Sequence, residues 1–128
     1  MMMKQLFSAL VVAGGLAAAQ ANAACPYPVA PGKFPDGSIA TKEEMLAAKQ
    51  QVVKYNADID AYLGCIKTEY DAKLASSADA TAEQKDKMAR DQDEKHNAAV
   101  KEVTDVTDRF NEQLRAWKAK NGAEKKTS

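Results

Sequence analysis

Cys25, Cys65 and His96 bound the chemistry open to this chain, since it has two cysteines and one histidine among 128 residues. Two thiols can form a redox pair, but catalytic pairs hold them in a Cys-x-x-Cys spacing that lowers one thiol's pKa. Here the cysteines lie far apart, and a structural bridge is the better account. His96 could recruit Asp93, with Gln92 or Glu94 nearby, as metal donors. One imidazole and scattered carboxylates fall short of the three or four converging donors of a transition-metal site. A histidine at the edge of a helix seam, with its polar tip in water, fits better. Asp91-Gln92-Asp93-Glu94 imitates calcium-ligand spacing, but it lacks the central Gly and terminal Glu in register and reads as a solvated helix face. Tyr55, Tyr62, Tyr70, Phe110 and Trp117 could line a ligand slot; at helical spacing they read as seam residues. The sequence shows no Gly-rich phosphate loop, no Gly-x-Ser-x-Gly elbow and no Cys-x-x-Cys-His. The expectation is a non-enzyme with no catalytic residues, cofactor or bound metal.

The first 23 residues carry the strongest address. Lys4 forms a short positive region, an apolar run extends from Leu6 to Ala19 through Gly14-Gly15, and Ala21-Asn22-Ala23 supplies the small-x-small pattern of a signal-peptidase site. Cleavage is expected between Ala23 and Ala24, with Ala19-Gln20-Ala21 as an alternative two residues earlier. Export to the periplasm or beyond follows. An oxidising compartment and an even cysteine count make a Cys25–Cys65 disulfide the default. A lipid anchor on Cys25 is the competing reading. It would need a Leu-like residue where Asn22 stands, and would leave Cys65 without a partner. The 18 basic and 18 acidic side chains balance, which argues against nucleic acid or an anionic membrane surface as partner. No second apolar run approaches the roughly 20 residues needed to span a bilayer, so no membrane insertion is expected after cleavage.

These candidates must be positioned by an all-α architecture. The four prolines fall between Pro26 and Pro35, so residues 24–40 read as an extended, polyproline-like arm closed by the turn Pro35-Asp36-Gly37, whose glycine can take positive φ. Thr41-Lys42-Glu43-Glu44 fits a capping box opening a helix over about residues 42–75. Met45, Val52, Ile59 and Ile66 then recur every seven residues. A second box, Thr81-Ala82-Glu83-Gln84, opens a helix over about residues 82–120. Its stripe is Met88, Gln92, His96, Ala99, Val103, Val106, Phe110, Leu114 and Trp117. Asn121-Gly122 is expected to end that helix, leaving residues 122–128 as a disordered tail. A short connection folds the helices into a long antiparallel, coiled-coil-like hairpin over residues 41–121. The implied register sets Leu74 against Met88, Ile66 against His96, Ile59 against Val103, Val52 against Phe110 and Met45 against Trp117.

A bridge from Cys25 to Cys65 requires the arm to double back along the first helix. The expected track is the face of Leu46, Val53, Ala57, Ala61 and Gly64, with Tyr27, Val29, Phe34 and Ile39 filling the groove. Gly64 would then mark a close approach. Two helices bury one seam each, so either the stapled arm or dimerisation into a four-helix bundle must complete the core. A stapled monomer is favoured over the homodimer.

The run Cys25-Pro26-Tyr27-Pro28, the Pro35-Asp36-Gly37 turn, the entry Ala40-Thr41-Lys42-Glu43-Glu44-Met45 and Ala61-Tyr62-Leu63-Gly64-Cys65 resemble small secreted proteins widespread in proteobacteria. Arg109-Phe110-Asn111 and Ala116-Trp117 fit the same pattern. The resemblance implies an exported bacterial protein and carries no activity. Ala80-Thr81-Ala82-Glu83-Gln84 is also similar to the Leu-Thr-x-x-Gln motif of periplasmic helical chaperones, with Ala80 replacing the leucine. The expected role is structural or protein-binding in the cell envelope, with an unidentified protein partner. The alternatives are a chaperone-like holdase, or a small-ligand or metal carrier.

Overall fold

The computed structural model describes residues 24–126, with side chains described as far as Gly122. The proposed leader, including Ala23, lies outside the described residues. Among the described residues two helices account for the regular structure: α1, Lys42–Ser76, and α2, Ala82–Lys126. They form an antiparallel hairpin, with the N-terminal arm joined to α1 by the Cys25–Cys65 disulfide.

Both helix starts follow from local chemistry. The Glu44 amide donates to Thr41 Oγ1 at 3.1 Å, and the Thr41 amide donates to Glu44 Oε2 at 2.8 Å. Thr81 and Gln84 repeat that exchange at 3.1 and 2.9 Å. Each box satisfies two backbone donors that the helix itself leaves open. At the other end of α1, the Ser77 amide donates to the Leu74 carbonyl at 3.2 Å, and the chain turns through residues 77–81.

Helix α2 does not stop at Asn121-Gly122 but continues to Lys126, past the helix end expected near residue 120. Asn121 donates its side-chain amide to the Trp117 carbonyl at 2.8 Å, capping a helical turn rather than leaving it. Gly122 keeps a backbone that any residue can adopt, so it does not form the left-handed stop expected of it.

The core is a three-four stripe. On α1 it comprises Met45, Ala48, Val52, Tyr55, Ile59, Tyr62 and Ile66; α2 contributes Ala99, Val106 and Phe110. Ile59 and Val103 line one groove, as the register requires. Towards the connection the packing changes. His96, expected opposite Ile66, is exposed, and Gln92 is the half-buried residue that shares a small cavity with Ile66, Tyr70 and Met88. Among the described residues, burial ends at Ile66 on α1 and begins at Ala99 on α2. The tip of the hairpin is instead laced with exposed, water-screened ion pairs such as Lys67–Asp71 and Lys87–Asp91.

The arm runs back along the hairpin, but not on the expected track. Leu46 and Val53 are 49% and 58% exposed, Ala57, Ala61 and Gly64 are exposed, and a Cβ added at Gly64 would meet open space. The arm crosses α1 at Tyr62 and Cys65 and settles over the α1–α2 groove, where it meets Glu102, Arg109, Phe110 and Gln113 of α2. A groove gives the arm two walls, whereas the outer face of α1 offers one. Residues 25–36 reach about 34 Å at ~3.1 Å each. That suffices for the ~30 Å rise of α1 between Met45 and Cys65. Phe34 and Ala30 pack against the core, while Val29 and Ile39 remain 92% and 75% exposed and do not fill the groove.

Glycine substitutions separate the two positions. Gly64→Ala should stabilise the protein by about 1 kcal/mol, because helix propensity improves with nothing to clash. Gly37→Ala should lower the melting temperature, because its Cβ would lie 1.8 Å from the Gln113 carbonyl oxygen. Thermal unfolding followed by circular dichroism checks both signs.

Candidate functional site

The arm-covered groove is where the sequence's candidate residues converge. Cys25 and Cys65 are joined, with Cα atoms 5.9 Å apart, and both cysteines of the chain are consumed in that bond. One residue pair further along, Tyr27 packs edge-on against Tyr62, with ring centroids 4.9 Å apart. Its hydroxyl donates to Glu102 Oε2 at 2.6 Å, tying the arm to α2. Arg109 then donates to the Gly32 carbonyl at 3.3 Å and lies 5.7 Å from the centre of the Phe34 ring. Phe34 packs edge-on against Phe110 at 5.7 Å.

The turn closes the arm. Asp36 Oδ1 accepts from the Ser38 amide at 2.9 Å and from the Ser38 hydroxyl at 2.6 Å, and these bonds hold its carboxyl below the ordinary value. The Asp36 carbonyl accepts from Ile39 and Ala40 at 3.1 and 2.8 Å. Gly37 is buried, and its amide donates to Gln113 Oε1 at 2.9 Å. It is needed for close approach to the α2 backbone rather than for positive φ, which its backbone does not adopt.

Tyr55, Tyr62 and Phe110 are buried in the core, as seam residues should be, while Tyr70 and Trp117 are half-buried. Tyr55 is 2% exposed, and its hydroxyl has no hydrogen-bond partner among the described residues. Glu102 lies beside it. Burial first, and then Glu102, hold both the Tyr27 and the Tyr55 phenols above the ordinary value near 10. The Tyr27 hydroxyl is the phenol that donates to Glu102, so the carboxylate clasps the arm to α2 through that one bond.

The remaining candidates are dispersed. His96, Asp93 and Glu94 are exposed on α2, and no group of three or more His, Cys, Asp or Glu side chains is placed to hold a metal ion among the described residues. Ala24, the residue after the expected cleavage point, is exposed at the start of the described chain. Sequence reasoning missed Glu102, Arg109 and Gln113. A signal was present, since these residues fall seven and four apart and so lie on one face of α2, but a charged helical face gives no sign of what it touches.

No family model matches the sequence, and no curated protein or solved structure is detectably similar to it.

The clasp has a pH signature. The Tyr27 pKa is raised on folding, so its contribution is complete below the unfolded value near 10 and is lost as pH rises above it towards the folded value. Denaturant midpoints measured between pH 8 and pH 11 should therefore fall at the alkaline end. Tyr27→Phe should cost about 1 kcal/mol at neutral pH through loss of the Glu102 bond, and should flatten part of the alkaline decline.

Proposed function

We propose that the chain is an exported, non-catalytic helical protein of the cell envelope whose role is to bind or space protein partners. The observation that carries this reading is how its reactive groups are used. The two thiols are spent on one bridge, the Tyr27 hydroxyl is engaged with Glu102, and the arm's aromatic rings pack against core rings. The molecule is a rod with a charged, solvated tip and a flank that exposes Leu46 and Val53. α2 alone, with 45 residues, is about 67 Å long at ~1.5 Å per residue. A long surface of this kind suits protein contact.

Two features support the export reading. Residues 1–23 have the pattern of a cleavable leader, and the disulfide is compatible with an oxidising compartment. The resemblance of the arm and helix entries to small secreted proteobacterial proteins points the same way. A holdase is the second reading, favoured by the exposed Leu46, Val53 and Val100, since such a protein needs accessible apolar surface.

Two measurements test these readings. The mass of the protein recovered from the periplasm of an expressing cell should correspond to a chain beginning at Ala24 and oxidised by one disulfide; an intact leader on a cytosolic product would overturn export. In a client aggregation assay at near-equal stoichiometry, the binding-and-spacing role predicts no protection. Suppression of aggregation would replace it with the holdase reading.

A further inference from the structure

The arm covers one flank of the hairpin and leaves the other open, and the open flank carries a second three-four stripe on α1. Leu46, Lys49, Val53, Asn56, Asp60 and Leu63 follow one another at alternating steps of three and four residues, the spacing of a helix-packing seam. Leu46 and Val53 are 49% and 58% exposed, Leu63 is half-buried, and the neighbouring Val100 of α2 is 40% exposed. Shallow grooves of about 400 and 390 Å³ run beside this strip, the second passing between α1 and α2.

The stripe is its own complement when reversed. Turned end for end about a point between Lys54 and Tyr55, it sets Leu46 against Leu63, Lys49 against Asp60 and Val53 against Asn56. Lys49 and Asp60 take part in no ion pair among the described residues, whereas Lys54, at the centre, is already paired with Asp58. A parallel arrangement would place Lys49 against Lys49 and Asp60 against Asp60, so the charges select the antiparallel one. Just beyond the stripe the same symmetry brings Lys42 opposite Lys67, whose charge is offset by Asp71 at 2.7 Å. A two-fold interface is self-complementary by necessity, and this strip meets that condition.

We infer that the open flank is a docking surface for a second copy of this chain, with α1 of each protomer packed antiparallel along the Leu46–Leu63 strip to give a four-helix assembly. The arms, on the opposite flanks, stay outside the contact. A dimer in this arrangement covers the apolar surface that the arm leaves uncovered and forms the Lys49–Asp60 pair twice, once on each side of the axis.

The test is the mass of the oxidised protein by light scattering and sedimentation equilibrium over a concentration series. The expected result is a monomer–dimer equilibrium. Val53→Asp should yield a monomer with unchanged helicity. Lys49→Asp should weaken the dimer about tenfold, because symmetry counts the lost pair twice. Asp60→Lys should do the same, and the double variant Lys49→Asp/Asp60→Lys should recover most of the wild-type affinity. A wild-type protein that stays monomeric throughout, or a dimer indifferent to Val53→Asp, would overturn the inference. Single charge reversals that weaken the dimer without rescue in the double variant would overturn the antiparallel pairing.

Discussion

The Cys25–Cys65 bond sets where everything else can lie. Two long helices share one seam, and a seam of Met45, Val52, Ile59, Ile66 and their α2 neighbours leaves its margins open to water. A third wall is needed, and an extended arm is a poor one by itself, since it has no secondary structure to hold it. Bonding its start to the middle of α1, while its end continues into the Thr41 cap, fixes both ends of the arm over the groove. The chain-entropy model assigns a closed loop of this size about 4 kcal/mol, a large share of the 5–15 kcal/mol typical of a whole domain. Prolines lower the cost of ordering the arm further, because their φ is already set.

The extent of the core follows from that placement. Burial on α1 runs from Met45 to Ile66, which is the span the arm accompanies, with Cys65 at its far end. Past the bridge the helices continue without a third wall, and the residues there change from apolar to charged, with pairs such as Arg90–Asp86 and Lys87–Asp91 facing water. The hairpin therefore has two regimes, a packed shaft under the arm and a solvated tip. Its two flanks differ for the same reason: Tyr27, Phe34 and Gly37 close one of them, and the other keeps Leu46, Val53 and Val100 at the surface.

Much of this was legible in the sequence where the cause is local. Thr41/Glu44 and Thr81/Gln84 announce helix starts because a capping box needs only four residues. The heptad spacing from Met45 to Ile66 names the buried face of α1, and two cysteines allow one intrachain pairing. The path of the arm was not legible, because it depends on partners about 75 residues away: Glu102 for Tyr27, Arg109 for Gly32 and Gln113 for Gly37. The small residues Ala57, Ala61 and Gly64 suggested room for a backbone, but room on one helix competes poorly with a groove between two. Gly37 shows the same limit. Its turn context suggested positive φ, whereas the structure needs it because the Gln113 backbone leaves no space for a Cβ. Asn121-Gly122 has the composition of a helix stop, yet without a left-handed glycine the helix runs on.

The most direct test of this account is thermal unfolding of the oxidised protein against the same protein reduced with a dithiol, followed by far-ultraviolet circular dichroism. If the bridge holds the third wall in place, reduction should lower the melting temperature by more than about 15 °C, the equivalent of ~4 kcal/mol for a domain of this size. An unchanged melting temperature would mean that the helices carry their own stability and that the arm is an accessory to the hairpin.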